Sequence, residues 1–214
     1  MTFVLVPGAG GNAWDWHLVG ERLRAHGHEV IGVDLPAADE TAGLTRYAQV
    51  IAEAAAGARD VVLVAHSMGG LSAPLACDRL PVSALILVNA MIPAPGETGH
   101  QWGVATGHGA AVPELSDDFD EDEFFYHDVP PHLAAQARAN GRPETSTAFD
   151  EPWPLGAWPD VPTRVIAGAA DRFFPPDFQA RVARDRLGLA TETVPGGHFV
   201  ALSRPDELTA RLLA

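Results

Sequence analysis

Residues 61–70 read VVLVAHSMGG. The run opens apolar without alternation, the pattern of a strand buried on both faces, as strands of a parallel sheet are. Residues 68–80 continue in a helical pattern that stops before Pro81. A serine at such a strand-to-helix turn is held in a strained backbone conformation that points its hydroxyl out of the sheet end. Small residues are needed two positions before and two after it, because neighbouring backbone passes close. Ala65 and Gly69 occupy those positions. The usual form is G-x-S-x-G, from which Ala65 departs by one methyl group. A helix N-cap serine would give the same local pattern, and a serine hydroxyl is a weak nucleophile unless a base sits beside it. Ser67 therefore needs partners elsewhere in the chain.

Similar β-rich runs recur at 3–6 (FVLV), 29–35 (EVIGVDL), 84–90 (ALILVNA), 163–168 (TRVIAG) and 191–194 (TETV). Helical patterns fall between most of them, at 15–26 before Gly27, at 44–58, at 177–187 before Gly188, and at 205–213. Strand alternating with helix implies right-handed βαβ units. The expected fold is α/β, with a mostly parallel central sheet of about six strands and helices on both faces. The rhythm breaks between about 91 and 160, a stretch rich in Pro, Gly, Asp and aromatics and too long for an ordinary connection. It reads as a small cap inserted over the sheet end of a single domain covering 1–214, with helices near 120–127 and 130–139.

Two other strand ends offer what Ser67 lacks. His198 stands in Pro195-Gly196-Gly197-His198-Phe199, the loop after the last strand, and is the candidate general base. Asp171 stands just past TRVIAG and is the candidate orienting carboxylate. Singly, a surface-loop histidine and a turn aspartate are commonplace. Together, serine, acid and base each follow a different parallel strand in the order Ser…Asp…His, the chain order of an α/β-hydrolase triad.

The first strand runs into a glycine turn and a helix start, FVLVPGAGGNAWDW at 3–16. Such turns hold anionic oxygen with backbone N–H groups, either an ester oxyanion or a dinucleotide pyrophosphate. With the triad order, this stretch and Val33-Asp34-Leu35-Pro36 resemble the α/β-hydrolase superfamily over nearly the whole chain. The likeness is greatest to the small esterase and hydroxynitrile-lyase group that includes plant methyl esterases. Members of that group carry His-Gly-Ala where this chain has Pro7-Gly8-Ala9. The resemblance implies an oxyanion hole made by the N–H groups of Ala9 and Met68. The combined reading is a serine esterase acting on a small, neutral carboxylic ester through an acyl-enzyme, with no metal or organic cofactor.

Three alternatives stay open. Gly8-Ala9-Gly10-Gly11-Asn12-Ala13 also fits G-x-G-x-x-A, with Asp34 placed as a ribose-binding acid, so a dinucleotide-dependent oxidoreductase is one. A hydroxynitrile lyase is another, although those members carry threonine at the position of Gly8 and lysine at that of Phe199. The third is a non-catalytic ligand-binding protein on the same fold.

The bulk composition narrows the partners. Of 214 residues, 47% are hydrophobic and 20% charged, ordinary for a globular protein, and the formal charge of −14 opposes binding to nucleic acid. A single cysteine, Cys77, excludes an intrachain disulfide. Met1 and Thr2 lead straight into a core-like strand without a basic leader, and no apolar run reaches the ~18 residues of a membrane span, so the expected location is cytoplasmic. Oligomeric state has no sequence signal here. Within the cap, Trp102, Phe119, Phe124, Phe125 and Tyr126 are candidates for an aromatic pocket, with Trp102, Phe124, Phe125 and Tyr126 the substrate-binding set. Their other possible role is the cap's own core. His100, His108, His127 and His132 show no metal-ligand spacing. The acidic run Asp117, Asp118, Asp120, Glu121, Asp122 and Glu123 lacks the glycine and spacing of a calcium loop and reads as a solvated loop at a helix start.

Overall fold

The computed structural model describes residues 1–113 and 120–214. Phe119, Asp117 and Asp118 lie outside the described residues. Six strands, β1 (Thr2–Val6), β2 (Glu29–Gly32), β3 (Val61–His66), β4 (Val82–Val88), β5 (Thr163–Gly168) and β6 (Thr191–Val194), form one sheet in the order β2-β1-β3-β4-β5-β6. Every neighbouring pair is parallel. The helices are α1 (His17–Ala25), α2 (Leu44–Ala54), α3 (Gly69–Ser72), α4 (Gly99–Thr106), α5 (His108–Ala111), α6 (Glu121–Phe124), α7 (Pro131–Asn140), α8 (Thr147–Asp150), α9 (Pro176–Leu187), α10 (Val200–Ser203) and α11 (Pro205–Leu212). Among the described residues, no helix is long and apolar enough to cross a membrane.

The unbroken apolar strands are explained by two cores, one on each face of the sheet. Along β3, Val61, Leu63 and Ala65 enter one core with Tyr47 and Ile51 of α2 and Phe178 of α9. Val62 and Val64 enter the other, with Val19 and Leu23 of α1 and Leu208 of α11. Successive side chains of a strand point to opposite faces, so only a strand covered on both sides is apolar at every position. Polar residues can gather just past the carboxyl ends of the strands.

Several elements differ from the sequence expectation: β4 is shifted to Val82–Val88 and α2 ends at Ala54. β2 stops at Gly32 rather than 35, because at the sheet edge Val33 and Leu35 turn into the core beneath while Asp34 accepts from Ala13 N at 3.0 Å. The helix expected over 68–80 is cut to α3 and a 3₁₀ turn, Ala73–Ala76. Pro74 has no N–H to give the Gly70 carbonyl and its ring crowds that carbonyl, which breaks the α pattern. Between β4 and β5, where two helices were expected, the described residues hold α4 to α8. The start of α4 is a capping box, Thr98 and Gln101 exchanging bonds at 3.0 and 3.1 Å, whose signal is masked by the Pro and Gly before it.

Candidate active site

Ser67 sits between β3 and α3 with φ 51°, a left-handed conformation that costs a non-glycine residue about 1–2 kcal/mol. Tertiary contacts hold it there. Ser67 N donates to Val88 O and Asn89 O at 3.3 and 3.1 Å, and Met91 N donates to Ser67 O at 2.9 Å. The surrounding glycines are needed for space. A Cβ on Gly8 would lie 2.9 Å from Ser67 Cβ, one on Gly69 would lie 2.7 Å from Pro7 O, and one on Gly70 would overlap the Met91 carbonyl oxygen.

His198, in the loop after β6, brings Nε2 to 3.0 Å from Ser67 Oγ and Nδ1 to 2.9 Å from Asp171 Oδ2. A carboxylate only accepts, so Nδ1 carries the proton and Nε2 offers its lone pair to the serine O–H. Asp171 Oδ1 accepts from the N–H groups of Phe173 and Phe174, both at 2.9 Å, which fixes the carboxylate. The imidazole is enclosed by aromatic rings: Phe125 stacks on it at 5.0 Å, and Phe173 and Phe174 meet it edge-on at 5.2 and 5.3 Å. Asp171 and His198 are 3% and 1% exposed, so this relay is shielded from water except toward Ser67.

Three buried polar residues that the sequence reading passed over hold the loop of His198. Asn89, at the end of β4, donates from Nδ2 to the carbonyls of Gly197 and His198, each at 3.0 Å, and accepts from Gly168 N at 2.7 Å. Gln179 donates to Asn89 Oδ1 at 3.1 Å and to Phe174 O at 2.6 Å. His66 donates from Nε2 to the His198 carbonyl at 2.9 Å. Burial, reinforced by His198 beside it, pushes the His66 pKa down to about 3, so it serves as a neutral donor. The signal for Asn89 was a polar residue closing an apolar strand on the same sheet edge as Ser67 and Asp171. Its reach across to Gly197 exists only in the assembled sheet.

Ser67 opens onto a cavity of about 270 Å³ whose walls include Ala9, Met68, Met91, Trp102, His108, Phe125, Phe149, Phe173 and Phe174. Neither Ala9 N nor Met68 N donates a hydrogen bond among the described residues. Of the aromatic candidates named for substrate binding, Trp102 and Phe125 line this cavity, with Trp102 Nε1 tied to Ile92 O at 3.0 Å. Tyr126 lines a neighbouring cavity of about 350 Å³ with Asp15, Arg138 and Arg142, and stacks on Phe199 at 4.9 Å. Phe124 borders neither cavity and is 5% exposed. Among the described residues, no group of three or more His, Cys, Asp and Glu could hold a metal ion.

The glycine turn is strapped by the cap. Gly10 N donates to Glu144 Oε2 at 2.7 Å, Arg142 N donates to Gly10 O at 2.8 Å, and Tyr47 donates to Glu144 Oε1 at 2.5 Å. Asp34, the ribose-binding candidate of the dinucleotide alternative, braces this same region through Ala13 N and lies 3.4 Å from Arg142 Nη2. The backbone around Gly10 that a pyrophosphate would approach is thus covered by residues 142–144.

Curated proteins match part of this sequence, and solved structures share its fold. The rice probable esterase PIR7A (Oryza sativa) is 40% identical over 107 residues, 44% of this chain and 41% of its own length. Methylesterase 7 of Arabidopsis thaliana is 43% identical over 104 residues, 42% of this chain and 40% of its own. These matches span about two-fifths of the curated relatives. The crystal structure of polyneuridine aldehyde esterase superposes with a TM-score of 0.82 at 22% identity, covering 99% of this chain and 97% of that one. A pyrethroid hydrolase from Sphingobium faniae does so at 0.75 and 22%, covering 100% and 96%. The alpha/beta hydrolase family model matches residues 3–212, nearly the whole chain, and the chain belongs to that family.

Proposed function

We propose that the chain is a serine hydrolase that cleaves small, neutral carboxylic esters through an acyl-enzyme intermediate. The observation that carries the reading is the relay from Asp171 through His198 to Ser67, with Oγ at 3.0 Å from Nε2, opening onto an apolar cavity. Ser67 Oγ attacks the ester carbonyl carbon as Nε2 of His198 takes its proton. Asp171 holds the imidazole tautomer and stabilises the imidazolium. Ala9 and Met68, both of the cavity wall, have N–H groups with no acceptor among the described residues, and these receive the oxyanion as it forms; each such donor is worth about 10²–10³ in rate. The imidazolium returns its proton to the leaving alcohol. Water then gives its proton to Nε2 and its oxygen to the acyl carbon, releasing the acid and restoring Ser67. Esterases and methylesterases among the relatives support the reaction class.

Gly8 supports hydrolysis over cyanohydrin chemistry, since a side chain there would press on Ser67 Cβ. The reading is tested with Ser67→Ala. Turnover of small methyl and aryl esters should fall about 10⁴-fold or more while the melting temperature holds. Ester turnover that persists near the wild-type rate would sink the mechanism. A fluorophosphonate should add once to the wild type and not to the variant, read by intact mass.

A further inference from the structure

We propose that His108 is a specificity residue: its Nδ1 accepts a hydrogen bond from a hydroxyl or N–H group on the substrate limb that fills the apolar cavity. The preferred esters then carry a donor on that limb. This rests on the reading of the cavity as the ester-binding site.

His108 opens α5 and is 8% exposed, in a cage of rings formed by Trp102 at 6.1 Å, Phe173 at 5.1 Å, Phe174 at 5.2 Å and Phe178 at 5.3 Å. Its Nε2 lies 2.6 Å from the Phe173 carbonyl oxygen. A carbonyl oxygen only accepts, so the proton is on Nε2. Burial holds the pKa below the usual histidine range, and of the charged groups acting on it, Asp171 raises it and His198 lowers it. The ring is therefore neutral at neutral pH, and Nδ1 presents a lone pair. That nitrogen has no partner among the described residues. The described side-chain atoms that are both sealed and unpartnered belong to Trp16, Asp128, Thr145, Gln179 and Ser203. Nδ1 of His108 is not one of them, and His108 is part of the cavity wall.

An acceptor of fixed tautomer in an aromatic wall discriminates by what it loses. A ligand without a donor leaves Nδ1 dry and unpaired, while a ligand with one pairs it, a difference of about tenfold or more in affinity. The triad does not use His108: its proton is committed to the Phe173 carbonyl.

The test uses benzylacetone, a methyl ketone that mimics an ester without being cleaved, and its ortho, meta and para ring-hydroxylated isomers. Binding to the wild type and to His108→Phe is measured by calorimetry. At least one isomer should bind the wild type about tenfold tighter than benzylacetone, and His108→Phe should erase that preference. On ¹⁵N-histidine wild type, the Nδ1 resonance of His108 should move upfield with the tight isomer and stay put with benzylacetone, a readout that needs no variant. No preferred isomer, an unmoved Nδ1, or a preference that survives in His108→Phe would overturn the proposal. Methyl phenylpropanoate turnover by wild type and Ser67→Ala is run in parallel. Equal rates there would overturn the esterase reading while leaving the ketone binding result to stand or fall alone.

Discussion

Asp171 divides its two oxygens between two tasks. Oδ1 takes the N–H groups of Phe173 and Phe174 and shapes the turn, while Oδ2 faces His198 Nδ1. Asp171→Asn separates them. The amide oxygen can still accept from the turn, but an amide beside Nδ1 cannot stabilise the imidazolium and favours the wrong tautomer. Ester kcat should fall about 10³–10⁴-fold with KM little changed and the melting temperature nearly kept. A drop confined to KM would mean that Asp171 shapes the pocket instead of the base. One step further out, Asn89 and His66 fix the backbone of Gly197 and His198, and Gln179 in turn fixes Asn89.

At the scale of elements, the crossing of α3 with the loop after β4 is the tightest point of the site. Gly70 packs its bare Cα against the Met91 carbonyl, and Met91 N in turn holds the Ser67 carbonyl. A methyl group has nowhere to go because its neighbour is backbone. Gly70→Ala should therefore destabilise the protein by about 1–3 kcal/mol and lower kcat by shifting Ser67 away from His198, whereas a purely local change would leave kcat intact. Thermal melts and ester kinetics on the same preparation check both halves. The strap from the cap across the glycine turn belongs to this scale as well. Glu144 joins Gly10 of the first loop to Tyr47 of α2, and burial raises its pKa above the usual carboxylate range.

For the whole molecule, two buried titratable groups pull stability in opposite directions with pH. Burial pushes the pKa of Asp15 from 3.8 up to about 6, against the backbone bond from Asn12, which lowers it. Below pH 4 folded and unfolded chains both hold that proton. Between about 4 and 6 the unfolded chain releases it first, so this contribution to stability falls as pH rises and stays low above 6. His66 works the other way: with its folded pKa held near 3, its contribution is lost as pH drops below the ordinary histidine range. Asp15→Asn keeps an acceptor for Asn12 N and removes the charge. It should raise stability at pH 8 by an amount on the order of 2–3 kcal/mol and have almost no effect near pH 4. Melting curves of both proteins across that range test it, and a gain independent of pH would refute the assignment.

The α/β class, the six strands and the candidates Ser67, Asp171 and His198 were legible in the chain, because apolar runs, glycine stops and strand-end polar residues are local signals whose meaning barely depends on distant contacts. The cap was not. Its short helices are held by caps and by contacts to the glycine turn, so their sequence looks irregular until Gly10, Tyr47 and residues 140–151 are brought together. Which aromatics line the cavity was likewise a matter of tertiary structure: Phe124 and Phe125 are adjacent and alike in the sequence, and only packing sends one into the interior and stacks the other on His198. Asn89 and His108 show the same limit, since a hydrogen bond from the residue after β4 to Gly197, or from α5 to Phe173, spans separations over which no periodic signal survives.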